Sequence, residues 1–286
     1  MNVAEVFAGE RPRLLGLAYR MLGSVSDADD VVQDAWFRWE GADHASIEVP
    51  AAWLTTVTTR LALDRIRAIE RRKEDYVGPW LPEPVTLVAS PEEDVELAES
   101  LTLGFLVLLD RLAPTERAVF LLADVFREPY SEIAAAVDKS EDACRQIASR
   151  ARKKVRSDRE PAMQPADRVL LAELVAAVAV GDVERVVALC DPSVTLVSDG
   201  GPRRHAARRP VVGVGRVTRF LVNVGRRLTL GTASIEDVNG VPAFVTRDEQ
   251  GTVVTFVEHR DGVIARVTSL LNPDKMAGVD EPHALR

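Results

Sequence analysis

Cysteine is nearly absent from this 286-residue chain: Cys144 and Cys190 stand alone, in different candidate domains, with no CxxC pair and no Cys/His ligand spacing. That scarcity argues against a zinc site and fits a reducing compartment. Long apolar runs are missing as well. No window of about 18 residues is free of charge, and no basic stretch followed by a long apolar core opens the chain. Neither a membrane span nor a secretory signal is expected, and the reading is a cytoplasmic protein with no membrane partner. No ligand spacing calls for a metal or another cofactor.

Excess positive charge is lacking too. Lys and Arg number 36 against 44 Asp and Glu, a formal net charge of -8. The total hides segregation. Positive residues gather between Arg60 and Lys73 and between Arg145 and Arg159, whereas Glu92, Glu93, Asp94, Glu96 and Glu99 form an acidic run. A polyanion meets the field of the local patch, so the acidic total does not exclude nucleic acid.

What is present is clearest from Tyr130 to Arg156, YSEIAAAVDKSEDACRQIASRARKKVR. An apolar helical segment ends near Val137, a polar turn follows, and a second helix begins near Glu141, which predicts a helix-turn-helix. Ala143, Ile147, Ala151 and Val155 recur four apart as a buried stripe. Arg145, Gln146, Ser149, Arg150, Arg152, Lys153 and Arg156 then look outward. Ser140 is placed to cap the second helix, with Glu141 and Asp142 at the end where negative charge is favoured. Cys144 either packs at the helix joint or presents a partly exposed thiol. Such a helix suits a major groove; the plainer alternative is a two-helix hairpin with a basic solvent face.

Upstream, Arg13 to Leu22 carries a helical period broken at Gly23, and Ser26 is expected to cap a helix that starts with Asp27, Asp29 and Asp30. With Asp34 these acids make either a solvated face or a surface for a basic protein partner. A third helix is predicted from Pro50 to about Arg72. Its threonines, among them Thr59, interleave with Arg60, Asp64, Arg65 and Arg67, a mixture suited to phosphate contacts and to holding an unpaired base. Asp64 is placed to orient Arg60 or Arg67. From Tyr76 to Pro91 four prolines and Gly78 forbid a continuous helix. This linker contains the apolar WLPEP, residues 80–84, which either docks on protein or serves as a stiff spacer. Helices resume over 92–112 and 114–124 and, with the helix-turn-helix, make a compact all-helical unit.

Beyond a Pro-bearing break at 160–165 the texture changes. Residues 167–189 read as helical, and shorter apolar runs follow at 194–197, 220–224, 228–230, 243–245, 253–259 and 263–271, with Asp261-Gly262 as a hairpin signal. Helices followed by antiparallel strands give an α+β domain whose Val-rich sheet wraps an apolar pocket. Asp199, His205, Glu258 and His259 are its acid/base candidates, although Glu258 and His259, adjacent on one strand, face opposite sides. The segment SDGGPRRHAARRP, 198–210, is a strongly basic loop, either solvated or in contact with an acidic face or nucleic acid.

Two further stretches carry a family resemblance. LLGLAYRMLGSVSDADDVVQDAWFRW with AWLTTVTTRLALDRIR resembles the sigma-2 domain of extracytoplasmic-function RNA polymerase sigma factors, and LAPTERAVFLLADVFREPYSEIAAAV with ACRQIASRARKKV resembles sigma-4. The whole chain is similar to the ECF41 type, which carries a C-terminal SnoaL-like, NTF2-like extension. The resemblance implies a multidomain chain: sigma-2 over 1–75, a linker over 76–91, sigma-4 over 92–159, a second linker over 160–166, an α+β cone with a curved antiparallel sheet over 167–276, and a tail over 277–286. It implies no enzyme activity. The implied partners are promoter DNA and the polymerase core, through its β and β′ subunits, and the C-terminal pocket invites an unidentified small-molecule ligand.

Residue by residue, the resemblance puts Asp27, Asp30, Val31, Gln33, Asp34 and Trp39 in the polymerase-binding part. Thr59, Arg60, Asp64, Arg65 and Arg67 fall in the part that opens the -10 element. Arg145, Gln146, Ser149, Arg150, Arg152 and Lys153 match the face that reads the -35 element. Trp80, Leu81, Pro82, Glu83 and Pro84 match the linker motif of the subgroup. Asp199, Gly200, Gly201 and Arg203 match its DGGGK loop, and Asn272, Pro273, Asp274 and Lys275 its NPDKL tail. Pro202 replaces a glycine of that loop and Arg203 a lysine. The implied control is in cis, by the C-terminal domain on the helical modules. Two other readings stay open: a SnoaL-like small-molecule enzyme with a regulatory helical region, and a polymerase-independent DNA-binding repressor.

Overall fold

Capping and turn residues cut this chain into its elements, and a computed structural model describes residues 2–87, 100–158, 163–226, 232–281, 283 and 285. The acidic run from Glu92 to Glu99, the start of the helix expected at 92 and the apolar run 228–230 lie outside the described residues. Two compact units result. One holds Met1–Glu74, Leu87–Arg159 and Glu281–Arg286; the other holds Asp75–Thr86 and Glu160–Asp280. The WLPEP segment therefore belongs to the C-terminal unit.

In the helical unit, α1 (Val3–Leu22), α2 (Val25–Glu40) and α3 (Pro50–Glu74) are followed by α4 (Leu103–Leu109), α5 (Pro114–Phe120), a π turn (Leu121–Val125), α6 (Tyr130–Val137) and α7 (Glu141–Asp158). Gly23 ends α1 in the left-handed region, its N–H donating to the Tyr19 carbonyl at 2.7 Å. Ser24, not Ser26, caps α2. Its backbone is extended and its hydroxyl accepts from the Asp27 amide at 3.1 Å, whereas Ser26 already lies inside the helix. Leu14, Leu17, Met21, Val32, Trp39, Leu54 and Ile66 fill the core of the first three helices, and Leu109, Leu121, Leu122, Ile133 and Ala148 that of the rest. Each large side chain so buried contributes roughly 1.5–3 kcal/mol before ordering costs.

Polar ties cross between the two halves of this unit. Arg20 donates to the Ser100 hydroxyl at 2.7 Å, and Arg117 to the Met21 carbonyl at 2.6 Å. Asp110 receives both Lys73 and Arg117. Arg60 on α3 donates to the Ala135 and Ala136 carbonyls at 2.6 and 3.3 Å, and so occupies acceptors at the end of α6 that helix termination leaves open.

The second unit packs α8 (Arg168–Val180), α9 (Val183–Leu189) and α10 (Val214–Gly225) with a sheet of β1 (Gln164–Pro165), β2 (Cys190–Asp199), β3 (Val211–Val212), β4 (Thr232–Val238), β5 (Val241–Asp248), β6 (Gly251–Arg260) and β7 (Val263–Leu270); the short α11 (Ala277–Asp280) follows. Leu171, Leu174, Val186, Leu196, Val217 and Ile264 sit in its core. The strand order is β3-β2-β7-β6-β5-β4, with β1 on β6. The expected α+β fold is present, but the sheet is mixed rather than wholly antiparallel, because β2 and β7 run parallel with Asp199 beside Leu270. A parallel pair ends both strands at the same edge of the sheet. The run 220–224 is helical, within α10, since a short apolar run does not by itself distinguish strand from helix. Asn239-Gly240 and Asp261-Gly262 both place two successive residues at positive φ, the type I′ geometry that matches strand twist.

Candidate functional site

Because β2 and β7 leave the sheet together, the loop after Asp199 and the segment after Leu270 meet. The Asp199 carbonyl accepts from the amides of Leu271 at 2.7 Å and Asn272 at 3.1 Å. Its carboxylate is wholly buried and collects four donors: the Tyr76 hydroxyl, the Leu81 amide at 3.0 Å, the Gly201 amide at 3.2 Å and the Lys275 ammonium at 2.8 Å. Lys275, also buried, donates in turn to the Leu81 carbonyl at 2.6 Å. Its ammonium lies 3.7 Å from the centre of the Trp80 ring and 4.9 Å from that of Tyr76. A carboxylate and an ammonium thus grip both backbone polar groups of one linker residue. Charge pairing with full hydrogen bonding is what makes the burial of both tolerable.

Leu81, Pro82, Glu83 and Pro84 are buried and Trp80 is half-buried. Farther along, Val85 exchanges hydrogen bonds with Asn239, and the Thr86 amide donates to the Gly278 carbonyl at 2.8 Å. Asn272 donates to the Tyr76 hydroxyl at 2.8 Å and, through its side-chain oxygen, caps the short turn Pro273–Lys275. Arg203 pairs with Asp274 at 3.1 Å, an exposed contact. A methyl group at Gly200 would lie 2.6 Å from the Arg204 carbonyl, and one at Gly201 2.6 Å from the Asn272 amide nitrogen. Gly201 also sits at φ 56, so the loop needs both glycines. Pro202 has no positive φ and is compatible with its place.

Tyr76 is the member that the sequence reading missed. The available signal was its spacing four residues before Trp80, whose ring it meets edge-on at 4.6 Å. Burial, then the adjacent Asp199 carboxylate, keep the Tyr76 hydroxyl protonated far above the ordinary phenol range.

On α7, Cys144, Ile147, Ala148, Ala151 and Val155 are buried, and burial pushes the Cys144 thiol up. Ser140 caps the helix by accepting from the Ala143 amide at 3.2 Å. Gln146, Ser149, Arg150 and Lys153 are exposed together on the opposite face. Arg145 is also exposed but is tied to Glu141 at 2.7 Å and Asp142 at 2.9 Å, and lies over the Tyr130 ring. Arg152 is partly covered and bound to Asp124 at 2.7 Å.

On α3, Thr59 is buried, Arg60 turns to α6, and Asp64 pairs with Arg67 at 3.0 Å on an exposed face. Arg65 reaches back to α2, bridging Asp27 at 2.7 Å and Asp30 at 2.6 Å. Asp27 is buried and also receives Arg72 at 2.7 Å. Burial alone would raise its carboxyl, but the hydrogen bonds from Arg72, Arg65 and Ser24 outweigh that and hold it below the usual carboxylate range. Val31 and Trp39 are buried, the indole of Trp39 donating to the Val3 carbonyl at 2.9 Å; Asp30, Gln33 and Asp34 are exposed.

The acid/base candidates of the C-terminal unit have separate surroundings. Asp199 is saturated by the donors above, Glu258 faces Arg266 at 3.7 Å, the His259 Nδ1 accepts from the Gly262 amide at 3.2 Å, and His205 is exposed. Among the described residues there is no group of three His, Cys, Asp or Glu able to hold a metal, and no helix is long and apolar enough to cross a membrane.

Comparison with known proteins agrees with this layout. The family model for Sigma-70 region 2 matches residues 6–72, and that for Sigma-70, region 4 matches residues 103–155. The chain is 38% identical to the ECF RNA polymerase sigma factor SigJ of Mycobacterium tuberculosis, over 97% of this chain and 94% of the relative. It is 32% identical to the probable ECF RNA polymerase sigma factor SigI of the same organism, over 96% of this chain and 94% of that one. The crystal structure of M. tuberculosis SigJ superposes with a TM-score of 0.76 at 36% identity, covering 97% of this chain and 99% of that one. With both sigma-70 regions in order and a likeness that runs the length of both chains, the protein belongs to the extracytoplasmic-function family of RNA polymerase sigma factors.

Proposed function

We propose that this sigma factor reads the -35 element with the outer face of α7 and opens the -10 element along α3, while its C-terminal unit governs that work in cis by gripping the segment between the modules. Binding of RNA polymerase and recognition of promoters are the function of the family. On α7 the groove-facing candidates are Arg150, Gln146, Ser149 and Lys153, with Arg145 and Arg152 joining once their carboxylate partners yield to DNA. On α3, Arg60, Asp64, Arg65 and Arg67 serve the -10 strand, and the buried Thr59 positions the helix. On α2, Asp30, Gln33 and Asp34 meet the β′ clamp, whereas Asp27, Val31 and Trp39 hold the helix in place; the sigma-4 module meets the β flap.

One observation carries the regulatory reading: Asp199 and Lys275 take hold of the backbone of Leu81. The chain between the two helical modules is thereby fixed to the C-terminal unit, and the reach of one module from the other depends on that grip. Transcription by core polymerase is to be compared between the full chain, a chain cut after Arg159 and the full chain carrying Lys275→Met. Altered promoter activity in both variants supports control in cis. Unchanged activity and unchanged polymerase affinity in both would sink it.

A further inference from the structure

The basic loop after β2 encloses something that the grip on Leu81 does not use. Residues 198 and 200–208, together with Val77 and Gly78, line a cavity of about 230 Å³. Arg203, Arg204, His205 and Arg208 line it, and no carboxylate does. Arg203 is spent on Asp274. Arg204 gives one nitrogen to the Gln250 carbonyl at 2.5 Å and keeps its others, and Arg208 is exposed with no ion-pair partner among the described residues. Two guanidinium groups, those of Arg204 and Arg208, on a concavity lined by no carboxylate match a phosphate, which they engage with paired hydrogen bonds. The volume lies below the roughly 300–1,000 Å³ of drug-sized ligand sites, so the occupant is compact.

We propose that this cavity binds a small phosphate-bearing anion, of the size of pyrophosphate or a sugar phosphate, held by Arg204 and Arg208. The site stands on its own geometry; that its occupancy reaches the promoter-binding modules, through Val77 and Gly78, rests on the reading of control in cis.

Calorimetric titration of the full-length chain with inorganic pyrophosphate, chloride balancing the ionic strength, tests the site without polymerase. The parent should bind saturably, one per chain. Arg204→Gln and Arg208→Gln should each weaken binding at least tenfold at unchanged circular dichroism, while Arg216→Gln, an exposed arginine outside the cavity, should not. Equal affinity in the Arg204→Gln/Arg208→Gln double variant overturns the proposal. So does tighter binding of single-stranded DNA than of pyrophosphate at these residues, which would make the loop a nucleic-acid contact. Failure of control in cis would appear only in the transcription assay and leave this titration untouched.

Discussion

The Lys275 ammonium lies 2.8 Å from a carboxylate oxygen of Asp199, and both side chains are almost wholly buried. Neither charge has water to fall back on, so each depends on the other and on Leu81. Replacing one partner strands the other. Lys275→Met or Asp199→Asn should destabilise the C-terminal unit by about 3–5 kcal/mol. The double variant should lose less than the two added together, which a double-mutant cycle by denaturant unfolding reads directly. Faster proteolysis between Asp75 and Thr86 in each single variant would report the released linker.

Two loop residues next to this pair should each lose stability on exchange, for different reasons. Gly201→Ala puts a methyl against Asn272 at a positive φ, and should cost at least about 1–3 kcal/mol. Pro202→Gly introduces the glycine of the DGGGK motif that this loop resembles, yet should lower stability by about 0.4–1 kcal/mol, because the proline suits its backbone and restrains the unfolded chain. A Pro202→Gly variant more stable than the parent would contradict this account. Thermal melts of the three proteins decide it.

Acid should loosen the helical unit through Asp27. Its carboxyl titrates below the unfolded value of about 3.9, so its stabilising contribution is complete above that pH and disappears as pH falls through the lower folded value. Asp27→Asn should reduce stability near neutrality by about 1.5–3 kcal/mol, the worth of hydrogen bonds to a charged group, and should flatten the fall in urea midpoint on acidification. Tyr76 gives the opposite sign in the C-terminal unit: its raised pKa stabilises fully below the unfolded value near 10 and ceases to as pH climbs through the folded value.

For promoter binding, Arg150 is the sharper test than Arg145, because its side chain is exposed while Arg145 is held by two acids. Arg150→Ala should weaken binding to a -35 sequence by about 1–3 kcal/mol if it reads a base bidentately, with relaxed preference at one position. A uniform loss over all sequences would assign it to phosphate instead. Lys153→Ala should give that uniform loss and a shallower salt dependence.

The local grammar of this chain was legible. Ser140 as a cap, Pro50 in a first turn and Asp261-Gly262 as a hairpin each follow from the conformational limits of single residues. Misplacing the α2 cap at Ser26 came from two serines within three positions, of which Ser26 alone directly precedes an acid, Asp27. What could not be read was long-range. Reading 220–224 as a strand, and the sheet as wholly antiparallel, came from apolar runs too short to reveal their partners. The parallel pairing of β2 with β7 is what carries Lys275 to Asp199, 76 residues away in sequence. Asp199 looked like a loop carboxylate available for proton transfer; as the last residue of β2 it is buried and fully hydrogen-bonded. The motifs around 80, 200 and 272 were visible by resemblance, but not the fact that backbone atoms of Leu81 are what they hold.

The order of synthesis gives the clasp on Leu81 a timing. Lys275 follows Leu81 by 194 residues. The second helical module ends at Asp158, so at roughly 5–20 residues per second both modules are synthesised about 6–23 seconds before the side chain that completes the clasp. A newborn molecule is therefore unrestrained for that interval, and a ribosome that stops short of Lys275 releases a permanently unclasped product.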